Sequence, residues 1–134
     1  MARLILDTGV LVAAVRGRID MAAFGDLDDI AVPAVALAEY LTGVESDGDP
    51  ARQAAQRAFV EELLAIVPVV DYTRSVAAHH AVLLAHVRRG GRPRGAHDLV
   101  IAAAARATGR TLLTTDAQAG FADLPEVQVR LVQV

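Results

Sequence analysis

Leu4-Ile5-Leu6-Asp7-Thr8-Gly9-Val10-Leu11 sets a single carboxylate between two apolar runs. The first run is short and bulky, as in a buried strand, and the second continues into Val12-Ala13-Ala14-Val15 at helical length. A strand passing directly into a helix through an acid is the start of a β-α unit. Burying an unpaired carboxylate costs several kcal/mol, so Asp7 needs a reason to be there.

Three other acids pose the same problem. Glu39 follows Val32-Pro33-Ala34-Val35-Ala36-Leu37-Ala38, Asp98 opens Leu99-Val100-Ile101-Ala102-Ala103-Ala104-Ala105, and Asp116 closes Leu112-Leu113-Thr114-Thr115. Taken singly, Asp7, Asp98 and Asp116 could each cap a helix or turn. Glu39 resists that reading because apolar residues flank its segment. Asp71 also follows an apolar strand signal, but it stands alone before Tyr72-Thr73 and reads as a structural cap. Four acids without a lysine to pair them suggest a shared counter-charge, for which a hard divalent cation is the simplest choice.

Outward from these acids, strand and helix signals alternate. Arg3–Leu6 reads as a strand and Thr8–Val15 as a helix, with a polar connection over Asp20–Asp29 that carries one helical turn near Met21–Phe24. Ile30–Val32 is a strand, Pro33 suits the first helical position, and the helix through Glu39 ends near Thr42-Gly43. After the turn cluster Ser46–Pro50 comes a helix to Ile66, with Ala55, Ala58, Phe59, Leu63 and Ile66 at helical spacing. Val67–Val70 is a strand candidate, in which Pro68 marks an edge or a strand start because it cannot donate to a ladder. Helices over Thr73–Val87 and Ala96–Ala107 flank a glycine-rich break at Arg88–Gly95. Thr111–Thr114 and Val127–Val132 complete the strands. The alternation predicts one α/β domain over residues 1–134 with a mainly parallel sheet. Asp7 and Asp116 then fall past strand C-terminal ends, where open parallel sheets bind ligands.

Composition narrows the chemistry. The 134 residues are 54% hydrophobic and only 4% aromatic, with no cysteine, so thiolate metal sites and a cysteine nucleophile are excluded. No apolar run approaches the roughly 20 residues of a membrane span, and a soluble cytoplasmic protein without membrane contact is the expectation. The formal net charge is -3, and every one of the 13 basic residues is arginine. With the four site acids set aside from the 16, 12 remain against those 13. An anionic substrate is therefore compatible with this chain if a metal neutralises the acidic centre. Arg88, Arg89, Arg92 and Arg94 lie in the basic segment that leads into Asp98, and they are candidates to hold phosphates. The same segment also suits a solvated loop. The histidines lack a metal-ligand spacing, Ser46 and Ser75 have no visible triad, and no glycine motif of a phosphate loop is present.

These features suit a metal-dependent phosphodiesterase. Mg²⁺ prefers oxygen ligands and keeps several waters, and one or two such ions can acidify a water and stabilise charge on phosphate. In this reading Asp7, Asp98 and Asp116 are metal ligands, direct or through water. Glu39 contacts a second metal position, itself or through water, or orients the attacking water. The hydroxyls of Thr8 and Thr115 can hold a metal-bound water or cap a helix or turn.

The opening Leu4–Leu11, Ala38-Glu39, His97-Asp98-Leu99-Val100-Ile101-Ala102-Ala103-Ala104-Ala105 and Leu113-Thr114-Thr115-Asp116 with Phe121 together resemble the four motifs of PIN-domain nucleases. Their order and spacing are similar to those of the VapC toxins of VapBC toxin–antitoxin systems. The resemblance implies a PIN-like three-layer sandwich and a Mg²⁺- or Mn²⁺-dependent endoribonuclease that acts on RNA. It also implies inhibition by a VapB-like antitoxin, and homodimerisation. Gly9 departs from the pattern, because many relatives carry a side chain there, which removes a polar contact but leaves the acids intact. A noncatalytic PIN-like module holding a structural ion is the alternative. A phosphoacceptor receiver domain also places acids at strand ends, but its lysine has no counterpart here.

Overall fold

A computed structural model describes residues 3–24, 29–90 and 92–134. Asp26, Asp28 and Gly91, and with them parts of the Asp20–Asp29 connection and of the basic segment, lie outside the described residues. Five strands form the sheet: β1 (Leu4–Leu6), β2 (Ile30–Pro33), β3 (Val69–Val70), β4 (Thr111–Thr114) and β5 (Val129–Leu131). Their spatial order is β3-β2-β1-β4-β5, and every pairing is parallel. The expected mainly parallel sheet is thus wholly parallel among the described residues. Helices α1 (Thr8–Val15), α2 (Ala34–Glu45), α3 (Pro50–Leu64), α4 (Arg74–Gly90) and α5 (Ala96–Thr108) connect and cover it, giving an α/β sandwich.

The core explains why those strands form. Leu4, Ile5, Leu6, Ile30, Ala31, Val32, Leu112 and Leu113 are all buried, so the three central strands are apolar on both faces, as parallel strands covered by helices require. The small residues Ala102, Ala103, Ala104 and Ala105 are buried along α5. They let that helix lie close against its neighbours, α4 most extensively. Pro68 behaves as expected: its carbonyl accepts from Val32 N at 3.0 Å, while β3 forms the sheet edge.

Several boundaries differ from the sequence expectation. Pro33 ends β2 and pairs with Val70, serving as the residue before α2 and not as its first helical residue. Helix α2 runs through Thr42-Gly43 to Glu45, because Val44 is buried and its packing outweighs the weak helix propensity of Gly43. Pro50 opens α3, capped by Asp49, whose carboxylate accepts from Ala51 N at 3.0 Å. Val60 and Leu63 carry the buried face of α3, whereas Ala55, Ala58 and Ile66 are exposed. Helix α4 extends through Arg88 and Arg89, placing both in its last turn and not in a loop, where the helix dipole favours cations. Thr73, and not Asp71, caps α4 by accepting from Val76 N at 3.2 Å. Among the described residues no helix is long and apolar enough to cross a membrane.

Candidate metal-dependent nuclease site

The strand order turns at β1, which has β2 on one side and β4 on the other. Ligands of open parallel sheets bind at such a turning point, beyond the strand C-terminal ends. Asp7 follows β1 there, and Asp116 follows Thr115 just past β4. The two strands are in register, Leu6 opposite Leu113, and Asp7 N donates to Leu113 O at 2.9 Å. Helix α2 brings Glu39 toward the same edge, and α5 brings Asp98 in its first turn.

Asp7, Glu39 and Asp116 are held by protein donors. Asp7 is 8% exposed; one carboxylate oxygen accepts from Thr8 N at 2.8 Å and the other from the Thr114 hydroxyl at 2.7 Å. Thr114 Oγ1 in turn accepts from Asp116 N at 3.0 Å, so one buried hydroxyl links two of the acids. Glu39 Oε1 accepts from the Thr8 hydroxyl at 2.8 Å, and its Oε2 lies 3.3 Å from His97 Nδ1. Asp116 Oδ1 caps the short 3-10 turn Ala117–Ala119 by accepting from Gln118 N and Ala119 N. Gly9 matters for space: a Cβ there would sit 2.6 Å from Thr115 Oγ1, so the Thr115 hydroxyl fills the room that a side chain at position 9 would need.

The acids feel one another. Burial pushes the Asp7 carboxyl above the usual carboxylate range; its bonds from Thr114 and Thr8 oppose that shift, and the charges of Glu39 and Asp116 add to it. Asp98 is also raised, first by burial and then by Asp7, Glu39 and Asp116, with His97 acting in the other direction. Mutual repulsion of all four acids means that they share one region of the molecule. Among the described residues none of Asp7, Asp98 and Asp116 makes an ion pair with arginine. An all-oxygen donor set carrying uncompensated negative charge fits a hard divalent cation. The acids do not, however, form a closed set of direct ligands. No three His, Cys, Asp or Glu side chains among the described residues are grouped to hold a metal between them.

The basic segment divides. Arg88 and Arg89 are exposed at the end of α4, and Arg92 is exposed while paired with Asp123 at 3.0 Å. Arg94 is different. Its side chain is 7% exposed, and its guanidinium donates to the carbonyls of Ala119 and Gly120. That engagement sets it apart from the open phosphate-contact set expected from sequence. The sequence reading also passed over Thr114, because a threonine in an apolar strand is an ordinary β-former. The only signal was its place one residue past two buried leucines and two residues before Asp116.

A family model for the PIN domain matches residues 4–127. The chain belongs to the PIN domain family. Among PIN relatives, the chain is 26% identical over 129 residues to "Ribonuclease VapC" of Rickettsia bellii (strain RML369-C), covering 96% of each protein. It is 28% identical over 123 residues to "tRNA(fMet)-specific endonuclease VapC" of Shigella flexneri, covering 87% of this chain and 88% of that one. In fold it is similar to the crystal structure of VapBC2 from Rickettsia felis bound to a promoter DNA fragment. That match has a TM-score of 0.84 and 21% identity, and covers 97% of this chain and 98% of the other.

Proposed function

We propose that this PIN protein is a metal-dependent endoribonuclease, the toxin of a toxin–antitoxin pair, that hydrolyses RNA phosphodiester bonds. The observation that carries the reading is the convergence of four acids from separate segments at the turning point of the sheet: Thr8 joins Asp7 to Glu39, Thr114 joins Asp7 to Asp116, and Asp98 lines one space with Asp116. The likeness to two VapC relatives, a ribonuclease and a tRNA(fMet)-specific endonuclease by name, supports ribonuclease chemistry.

Mg²⁺, or Mn²⁺ in its place, would be held by Asp7, Asp98 and Asp116, in part through water, and would supply Lewis-acid stabilisation of the phosphate and a more acidic water. The chain's own residues do the rest. Thr114 and Thr8 N fix both oxygens of Asp7, so its direction does not depend on bound solvent. Thr8 ties up Glu39 Oε1, and we assign Glu39 Oε2 to orient the attacking water and accept its proton. His97, beside that oxygen, steadies the glutamate. Arg88, Arg89 and Arg92 face solvent near the start of the Asp98 helix and attract the RNA backbone without reading its bases.

Restraint by a VapB-like partner fits the surface next to the site. Helices α1 and α2 carry Thr8 and Glu39, and further along they form a groove with α3 of about 770 Å³. Its apolar lining includes Val12, Val15, Tyr40, Val44 and Phe59. An apolar segment lying in that groove would run along the same two helices toward the acids, where a basic side chain could compete for their field. The likeness of fold to the solved VapBC2 structure supports this reading. The test compares growth at matched protein levels. Wild-type expression should slow growth, while co-expression of the neighbouring small protein and Asp7→Asn should each relieve it. Equal toxicity of wild type and Asp7→Asn would remove nuclease chemistry as the cause.

A further inference from the structure

Asp98 stands in a packed helix, but Asp116 stands on an exposed turn that needs its own anchor. We propose that Arg94 is a positioning residue that clamps the Asp116 turn to the start of the Asp98 helix and so sets the spacing of these two carboxylates. The assignment rests on the metal-site reading above.

Three observations carry it. Arg94 Nη1 donates to Ala119 O at 2.9 Å and also to Gly120 O. Those carbonyls lie at the far end of the 3-10 turn whose near end is capped by Asp116 Oδ1. Arg94 therefore grips the segment that aims Asp116. The contact is also shaped by glycine. Gly120 has φ 68°, and a Cβ on it would lie 2.5 Å from Arg94 Nη1, so the guanidinium occupies space that only glycine leaves open. At the other end, Gly95 directly follows Arg94 and precedes α5, and a Cβ there would lie 3.0 Å from Asp98 Oδ2. Arg94 is thus bonded to the turn of one acid and is chain-adjacent to the residue packed on the other. An open space of about 290 Å³ between Arg92, Arg94, Asp98 and Asp116 is the gap this clamp holds at fixed width.

Arg94 differs from Arg92 in what it can offer a substrate. Its guanidinium is enclosed, with Nη1 engaged by the two carbonyls, Nη2 4.0 Å from Asp123 and Nε buried without a partner among the described residues, whereas Arg92 is 61% exposed in a screened surface pair with the same Asp123. A lysine cannot copy the planar, multi-donor geometry of arginine.

The test uses purified full-length protein and two measurements: Mn²⁺ binding by calorimetry without RNA, and the KM for RNA cleavage at saturating Mn²⁺. Arg94→Lys disturbs the clamp from one side, and Gly120→Ala from the other without removing any charge. Both should weaken Mn²⁺ binding by about 10–100-fold, as loss of a group that orients metal ligands does, while KM for RNA stays within about twofold. Arg92→Ala should show the converse, a raised KM with unchanged Mn²⁺ binding. The proposal is overturned if Arg94→Lys and Gly120→Ala bind Mn²⁺ like wild type, or if Arg94→Lys raises KM alone, which would make it a phosphate contact. It is overturned too if both variants lose thermal stability while their folded fraction keeps wild-type Mn²⁺ affinity. If wild-type protein binds no Mn²⁺, the metal-site reading itself fails and takes this assignment with it.

Discussion

Asp7 costs the fold stability where the proposed site needs its charge. Its folded-state carboxyl is raised by burial and by neighbouring acids, so the folded protein holds a proton more tightly there than the unfolded chain does. The ionised form therefore weakens the fold. This penalty is absent below the unfolded carboxylate value of about 3.9 and is complete above the raised folded value. In EDTA at neutral pH, Asp7→Asn should unfold at a higher temperature than wild type, because asparagine still caps α1 well. The gap should close as the pH falls toward 4, and scanning calorimetry across that range checks it. Thr114 shows the opposite logic. Its hydroxyl donates to Asp7 and accepts from Asp116 N, so Thr114→Val strands two polar groups at a buried position. Denaturant unfolding should show a loss of about 1–3 kcal/mol, most of which Thr114→Ser should restore.

At the scale of elements, Gly43 is informative. Glycine there suggested a helix end, yet α2 continues because Val44 belongs to the core. A Cβ on Gly43 would meet nothing within 4 Å. Gly43→Ala should therefore stabilise the protein by about 0.5–1 kcal/mol, measurable by urea unfolding. Helix α4 offers a second case. Its extension through Arg88 and Arg89 makes them a basic helix end, which the proposed function assigns to the RNA backbone. Replacing both with alanine should flatten the dependence of log KM for RNA on log salt by about 1–2 units, as removal of two phosphate contacts does. The three central strands were legible because buried parallel strands are continuous apolar runs, and Asp7, following such a run, stands out. Helix ends were less legible because a local glycine signal cannot register the distant packing of Val44. The bonds of Arg94 were not legible because composition shows a basic segment but not which guanidinium folds back onto a carbonyl. Thr114 was passed over because its role depends on Asp7, 107 residues away in the chain.

For the whole molecule, one geometric fact organises the rest. A wholly parallel sheet in the order β3-β2-β1-β4-β5 places β1 and β4 side by side, and both end in acids. Helices α2 and α5 add one acid each, and α1 and α2 continue away from the acids into the apolar groove. The proposed cleavage site and the proposed partner groove thus lie along the same two helices. The central claim is that these four acids act as one metal-dependent RNA-cleaving centre. Its most direct test is the initial rate of RNA cleavage against Mg²⁺ concentration for purified wild type and Asp98→Asn, each shown to be folded. The account predicts no cleavage in EDTA, a saturable rise with Mg²⁺ for wild type, and a rate at least about 10²-fold lower for Asp98→Asn at saturating metal. Cleavage that persists in EDTA, or equal rates for the two proteins, would contradict it.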